Sequence, residues 1–416
     1  PAARTLEIPE SLMGETMTKV ITHEIGHAIG LPHNMVASSS FPVDSLRSPS
    51  FTRPYGVSAT IMDYARQNYI AQPGDGLAPN DYIRRLGPFD DFVVNWGYRV
   101  LPNAATPEAE VATLNRWITS QTGMFAYRYV PQQYGSVDPR SQTEDMGDDP
   151  VRASTYAIAN LKRVVPMLPE WTTAPGKNYD DLSELHGEAV SMWSRYMGHV
   201  VTLIGGVTVD FKTADQPGAV FHEIPRERQE GALAFLDEQV FDTPEWLTPD
   251  SITSRIGPVS VVDRQVGIVN QLLDTRRIDR LAEYAAKDDD NWSPTEYLND
   301  LRRALWGTPG SGTAPDANRR QLQRAYLDRL ETILKPAPPS GGQGGGFGGG
   351  GGSPPPLLAA PNVPRSDLPA LARGQLSVLR DQVRRAAANA PAGIQRAHWQ
   401  DIAVRIDAIL DPGVAR

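Results

Sequence analysis

Three of the chain's seven histidines lie within eleven residues, in the stretch HEIGHAIGLPHN that begins at His23. His23 and His27 are four residues apart, which on a helix places both imidazoles on one face, one turn apart. Gly30 readily adopts the left-handed conformation that ends a helix, and Pro32 cannot continue one, so we expect the chain to turn and bring His33 back towards the other two. Three imidazoles that converge on one point predict a zinc site.

The pattern is too specific to be a coincidence of composition. A HExxH match arises by accident in about 0.7% of chains of this length, and the added glycine and third histidine multiply that rate by roughly 0.0015. A purely structural zinc site is one alternative, but such sites normally close with a fourth protein ligand, and the chain contains no cysteine. Three histidines with an open fourth position are typical of a catalytic zinc site.

Glu24 directly follows the first histidine and points away from the face that carries the ligands. A carboxylate in this place can take a proton from a water molecule that the metal has acidified. The sequence therefore predicts His23, His27 and His33 as zinc ligands and Glu24 as the general base.

The whole pattern, HExxHxxGxxH, is the zinc signature of the metzincin peptidases, which also carry a methionine turn beneath the metal. The stretch SATIMDYAR, residues 58–66, resembles that turn. The resemblance implies that Met62 forms the base of the pocket and that Tyr64 ligates zinc or stabilises the oxyanion. The segment GPFDDFVVNWGY, residues 87–98, is similar to the helix that packs under the turn.

Further motifs narrow the resemblance. HEIGHAIGLPHNMVASS, IMDY, RYMGHVVTLIGG and FDTPEWL together resemble the bacterial Met-zincin group of large zinc-dependent metalloproteases. The likeness is close over residues 11–98 and continues as isolated motifs to about residue 250. It implies Zn²⁺ as cofactor, a peptide or protein as substrate, and export to the periplasm, cell surface or medium.

One departure from the metzincin pattern concerns the residues before the zinc-binding helix. In metzincins a twisted sheet precedes that helix, and its edge strand holds the extended substrate. Only about ten residues precede the helix in this sequence, and the first is Pro1. We therefore expect the chain to be the C-terminal part of a longer protein, without the upper wall of the cleft.

The segment that leads into the first histidine has a helical pattern. Ser11 can cap the start of the helix. Apolar residues follow at helical intervals and predict a buried face: Leu12, Met13, Met17, Val20, Ile21, Ile25 and Ile29.

The rest of the chain predicts a mainly α fold: the C-terminal part of a metzincin-like (α+β) zinc peptidase domain, followed by a helical domain. Five segments have helical periodicity, at residues 151–165, 182–204, 228–241, 261–286 and 317–334. The predicted divisions are a catalytic domain at 1–100, a mainly helical domain at 101–335, a Pro/Gly-rich flexible linker at 336–356 and a C-terminal helical hairpin at 357–416. The hairpin either docks on the helical domain or binds another molecule.

Composition excludes some classes of function. The net charge of −9 and the pI near 5.4, without a long basic tract, argue against nucleic acid as a partner. The longest nearly apolar run, which begins at Tyr196, is too short to span a bilayer as a helix.

His186 and His199 are predicted to be packing or surface residues. The acidic segment EDMGDDP, residues 144–150, is predicted to be a solvated turn rather than a calcium site.

A zinc-dependent endopeptidase is the leading functional hypothesis. A catalytically silent zinc fold that only binds peptides or partners is a second, and loss of Glu24 would be its signature. A zinc amidase that acts on non-protein amides is a third, because it would use the same chemistry and differ only in the cleft.

Overall fold

The computed structural model describes residues 9–310, 314–335 and 367–411, and these residues are predominantly helical. The predicted mainly α class is confirmed for them, and the predicted linker at 336–356 lies outside them. The α-helices described are α1 (Glu10–Ala28), α2 (Pro49–Tyr55), α3 (Pro88–Tyr98), α4 (Pro107–Ser120), α5 (Pro150–Val164), α6 (Leu168–Thr172), α7 (Asp180–Val201), α8 (Arg226–Leu236), α9 (Asp250–Ile256), α10 (Val262–Leu272), α11 (Thr275–Ala285), α12 (Pro294–Trp306), α13 (Ala317–Leu334), α14 (Leu368–Asn389) and α15 (Ile394–Leu410).

The strands found in the described residues are two short ones. β1 (Val207–Val209) and β2 (Phe221–Glu223) pair antiparallel, with Val207 opposite Glu223. None of the helices in the described ranges combines the length and apolar composition needed to cross a membrane.

The chain divides into two compact units. Unit 1 consists of Pro1–Thr202, Val207–Glu223 and Trp246–Pro258, and unit 2 of Leu203–Gly206, Ile224–Glu245 and Val259–Arg416. The boundary predicted at residue 100 therefore falls inside unit 1. The physical reason is that residues beyond it hydrogen-bond to the segment after the third histidine: the backbone N–H of Met35 donates to the carbonyl of Val130 at 3.1 Å.

Helix α1 differs from its prediction at its start and on its apolar face. It begins at Glu10, and Pro9 rather than Ser11 holds the capping position. The side chains of Met17, Ile21 and Ile25 are each more than half exposed.

The prediction that this apolar face is buried is wrong for the residues that the structure describes. The buried positions of α1 are His23 and Gly26, which lie on a different side of the helix. Contact with the segment around Ile61 and Met62 therefore determines which side of α1 is covered, and the periodic apolar stripe does not.

The loops that follow α1 enclose a hydrophobic core of unit 1. The buried residues of this cluster are Ala37, Phe41, Val43, Leu46, Val57, Ala59, Ala65, Ile70, Met146 and Ala153. Helix α7 also buries side chains in unit 1, among them Trp193 and Met197.

The two histidines of α7 are packing residues, as predicted. His186 and His199 are both buried, and their Nε2 atoms donate to the backbone carbonyls of Leu247 at 2.6 Å and Thr143 at 3.0 Å. Burial lowers the pKa of His199 to about 4.

The acidic segment at residues 144–150 is not a solvated turn. Asp145 is buried and accepts a hydrogen bond from the hydroxyl of Ser38 at 2.9 Å. Glu144 forms an ion pair with Arg66 at 3.1 Å, and Asp149 caps α5. The prediction failed because each carboxylate has a protein partner that lies far away in the sequence or belongs to the next helix.

In unit 2, the segment 261–286 forms two helices instead of the single one predicted. Helices α10 and α11 are separated at Leu273 and Asp274, because the Asp274 side chain accepts from the backbone N–H of Arg276 and starts a new helix. The segment predicted at 317–334 coincides with α13.

The C-terminal hairpin of α14 and α15 docks on other helices of unit 2. Arg302 of α12 donates to the Gln375 side chain of α14 at 2.8 Å. His398 of α15 donates to the Gln323 side chain of α13, also at 2.8 Å. Of the two possibilities for the hairpin, the structure therefore supports docking within the helical unit.

Candidate metal centre

The end of α1 brings the three histidines together. The backbone N–H of Gly30 donates to the carbonyl of His27 at 2.9 Å, and the N–H of Leu31 donates to that of Gly26 at 3.0 Å. This pair of bonds is the Schellman motif, which needs a left-handed residue, and Gly30 has a φ of +88°. The chain turns sharply and returns His33 to the side of α1 that carries the other two, as predicted.

Each of the three imidazoles is oriented by a hydrogen bond from its Nδ1 atom. Every partner is an oxygen that can only accept, so Nδ1 carries the hydrogen and Nε2 has a free lone pair. The acceptors are the backbone carbonyls of Ile61 and Leu31 and the side-chain oxygen of Gln132, at 2.8, 2.9 and 3.3 Å from His23, His27 and His33 respectively.

The Nε2 lone pairs face a common space. Nε2 of His27 and Nε2 of His33 are 3.0 Å apart, and the ligand atoms of the triad, including that of His23, lie within 4.8 Å of one another. Two lone pairs without a hydrogen between them repel at this distance, and a cation between them removes that repulsion. The donor set therefore fits Zn²⁺, which histidine nitrogen binds well.

The protonation of the triad also suits a metal. Burial is the main cause of the lowered pKa values of His23 and His33, while the nearby Glu24 carboxylate acts in the opposite direction. Both imidazoles are therefore neutral at pH 7, which is the form that binds a metal.

The two residues predicted to take part in catalysis both lie near the triad. The ring of Tyr64 is 4.3 Å from that of His33 and 5.5 Å from that of His23, measured between centroids. Glu24 is exposed on α1, next to His23. The arrangement offers a carboxylate and a phenol beside three metal-binding nitrogens.

Met62 lies against α1 at Gly26. A Cβ atom added to Gly26 would be 2.3 Å from the Met62 sulfur, so the methionine fills the space that the glycine leaves between His23 and His27. Met62 is fully buried in a small cluster with Leu31 and Ile61. The structure thus brings the predicted methionine turn into contact with α1.

Asp90 of α3 holds this turn in shape. Its carboxylate accepts from the Thr60 hydroxyl, from the N–H of Ile61 at 2.9 Å and from the N–H of Gly87 at 2.8 Å. Because the carbonyl of Ile61 is also the acceptor for His23, Asp90 supports this predicted metal ligand through one intervening residue.

Sequence analysis missed three residues of the site: Asp90, Gln132 and Arg84. Gln132 orients His33 from 99 positions away, and no local motif marks it. Arg84 is buried and donates to the Ile61 carbonyl at 3.1 Å, so that this carbonyl accepts from both His23 and Arg84. No sequence motif identifies these residues, because each contacts a part of the centre that is remote from it in the sequence.

Comparison with known proteins relates the chain to a protein family. No curated protein and no solved structure is similar to this chain at a significant level. The model of the Met-zincin family matches residues 5–312. The match therefore extends beyond residue 250, where the motifs noted in the sequence end. The family implies zinc, which confirms the predicted cofactor, and the three histidines can hold it. The chain belongs to the Met-zincin family, a family of zinc metalloproteases.

Proposed function

We propose that the protein is a zinc-dependent endopeptidase that hydrolyses internal peptide bonds. The observation that carries the proposal is the convergence of the three imidazoles, whose ligand atoms lie within 4.8 Å of one another, with Glu24 exposed beside them. His23, His27 and His33 would hold the zinc. A zinc ion bound by three imidazoles supplies Lewis acidity, which polarises a carbonyl and acidifies water.

Glu24 acts as the general base and then as the general acid. Its carboxylate takes a proton from the attacking water and delivers it to the nitrogen of the leaving amine. Its exposure supports this role. The water that gives up the proton comes from solvent, and the amine that receives it belongs to the substrate, so the carboxylate must be accessible to both. The presence of this carboxylate also argues against a catalytically silent zinc fold.

Tyr64 stabilises the charge that develops on the carbonyl oxygen. A phenol hydroxyl can donate a hydrogen bond to that oxygen as the carbonyl carbon becomes tetrahedral. The Tyr64 ring stacks on the His23 ring and lies tilted beside the His33 ring. These contacts support the assignment, because they keep the phenol beside the reacting centre.

The proposed organisation follows from these roles. We assign the segment from α1 to α3 to the C-terminal part of a metzincin-like catalytic domain, with Met62 at its methionine turn. Peptides or proteins are the substrates. Export from the cell, which was inferred from family resemblance, belongs to the same proposal.

Replacing Glu24 by glutamine tests the function. With zinc bound, Glu24→Gln should lower the rate of cleavage of a denatured protein substrate by about 10²- to 10⁴-fold while the zinc content stays unchanged. Glu15→Gln, an exposed change on the same helix, is the control and should cleave like the wild type. A Glu24→Gln protein that cleaves at the wild-type rate contradicts the proposal, and a wild type that cleaves only non-protein amides supports the amidase instead.

A further inference from the structure

Unit 1 contains a cavity of about 520 Å³ outside the metal centre. One wall is the end of α4 with the loop that follows it, and the other is the segment after β1. Its apolar side chains are unusually accessible: Ile118, Met124, Tyr129 and Phe211 are each more than a third exposed. Exposed apolar residues gathered in one concave place mark a binding site more often than isolated ones do.

The cavity is connected to the metal centre through the short helical turn Gln132–Tyr134. Phe211 in its wall packs edge to face against Tyr134, with ring centroids 5.4 Å apart. Tyr134 belongs to the short turn of helix whose first residue, Gln132, orients His33. Tyr129, also in the wall, is three residues before Gln132, a span of at most about 11 Å along the chain. The cavity wall and the residue that orients His33 therefore lie on one continuous segment, within the length of a peptide of a few residues.

The charged residues at the cavity favour a bound molecule that carries a negative charge. Arg128 and Arg140 both form ion pairs with the Asp210 carboxylate, at 3.5 Å and 3.2 Å. Lys212 donates to the backbone carbonyl of Pro217 at 3.0 Å, and no carboxylate of the described residues pairs with it. The ionisable residues that line the cavity, Arg128, Asp210 and Lys212, thus carry a net charge of +1, in a chain whose net charge is −9.

We propose that this cavity binds a large apolar side chain of the substrate peptide, preferably an aromatic one with an acidic residue beside it. The inference rests on the proposed function, because it assigns the peptide to the same cleavage site. An aromatic side chain fits the volume and can pack edge to face against Phe211 and Tyr129. Lys212 supplies the charge that attracts the acidic neighbour.

Peptide binding to the zinc-loaded Glu24→Gln protein provides the test, because binding can then be measured without cleavage. The probes are three fluorescein-labelled peptides: a twelve-residue peptide of Gly, Ser and Glu with one central Phe, the same peptide with Ser for Phe, and the first peptide with Lys for Glu. The Phe peptide should bind at least about 10-fold more tightly than the Ser peptide, the effect expected for burial of one aromatic side chain. It should also bind more tightly than the Lys peptide.

Variants connect these preferences to the cavity. Ile118→Trp fills the cavity and should abolish the preference for Phe over Ser. If Ile118→Trp lowers the melting temperature, Phe211→Ala replaces it. This variant removes an aromatic wall of the cavity and should also abolish the preference for Phe over Ser. Lys212→Met should abolish only the preference for Glu over Lys. Tyr179→Ala, an exposed aromatic change at the start of α7 that does not line the cavity, is the control and should keep both preferences.

Equal affinity for the Phe and Ser peptides, or a preference that survives both Ile118→Trp and Phe211→Ala, overturns the proposal. These outcomes are distinct from a failure of the proposed function, which would appear as absence of zinc-dependent cleavage by the wild type. Cleavage that does not depend on the cavity leaves the endopeptidase proposal intact.

Discussion

At the scale of single residues, the orientation of each imidazole explains how the centre can accept a metal. Each Nδ1 donates to an oxygen of the protein, which leaves Nε2 of His23, His27 and His33 free. Outer partners of this kind set the tautomer of a metal ligand and contribute to metal affinity. The centre is therefore prepared before the metal binds.

Tyr64→Phe tests whether the phenol takes part in catalysis. The change removes only the hydroxyl, so the ring should keep its place near His33. If Tyr64 donates to the oxyanion, kcat should fall by ten-fold or more, since one such donor typically contributes about 10²- to 10³-fold, or about 2.7 to 4 kcal/mol. Zinc content and thermal stability should change little. Unaltered kinetics would make Tyr64 a packing residue.

At the scale of elements, the contact of α1 with the methionine turn is a tight one. Gly26→Ala would place a methyl group against the buried Met62 sulfur. We expect a loss of roughly 1–3 kcal/mol in the free energy of unfolding, the usual effect of overpacking. Gly14→Ala is a matched control on the same helix, since nothing lies near its added Cβ, and it should gain about 0.5–1 kcal/mol.

Combining Gly26→Ala with Met62→Ala separates this contact from other effects of the glycine. In the Met62→Ala background the added methyl has room, so the same change should no longer destabilise the protein. Urea unfolding of the four proteins in this cycle provides the measurement. Equal losses in both backgrounds would show that Met62 does not restrict position 26.

The sequence predicted those elements that depend on local rules. The end of α1 was predictable because Gly30 and Pro32 are local signals, and α13 was predictable because its apolar spacing is regular. The break between α10 and α11 was not, since Asp274 interrupts a pattern whose periodicity continues. The exposure of Ile21 and Ile25 was not predictable either, because periodicity identifies an apolar face but not what covers it.

The same distinction holds for the site. The three ligands and Glu24 lie within eleven residues, so their spacing is a local property that the sequence displays. Gln132 and Asp90 reach the centre only through the fold, and no spacing rule connects either of them to the histidines. Sequence analysis therefore predicted that the three histidines converge, and missed most of the residues that orient them.

At the scale of the whole molecule, the two units differ from the divisions that composition suggested. The segment around Val130 belongs to unit 1 because it pairs with the backbone after the third histidine. Such pairings are non-local and leave no trace in hydrophobic patterning. The docking of the C-terminal hairpin on α12 and α13 likewise depends on contacts such as that of His398 with Gln323.

Stability should depend on pH through His199. Its pKa is about 4 when folded and 6.5 when unfolded, so the unfolded state binds more protons between these values and stability falls as pH decreases through this window. From about pH 7.5 to about pH 5, this residue should account for a loss of about 2 kcal/mol. In metal-free protein, the loss should be smaller for His199→Gln and unchanged for the exposed His222→Gln. An equal loss in His199→Gln and wild type would exclude His199 as the source.

The central claim is that His23, His27 and His33 form one zinc site, and metal analysis of the folded protein tests it most directly. After exposure to zinc and removal of the excess, the wild type should retain close to one zinc per chain. His27→Ala should retain close to none, while His222→Ala, which removes an exposed histidine of β2, should match the wild type. Folded wild-type protein without zinc, or undiminished zinc in His27→Ala, would contradict the account.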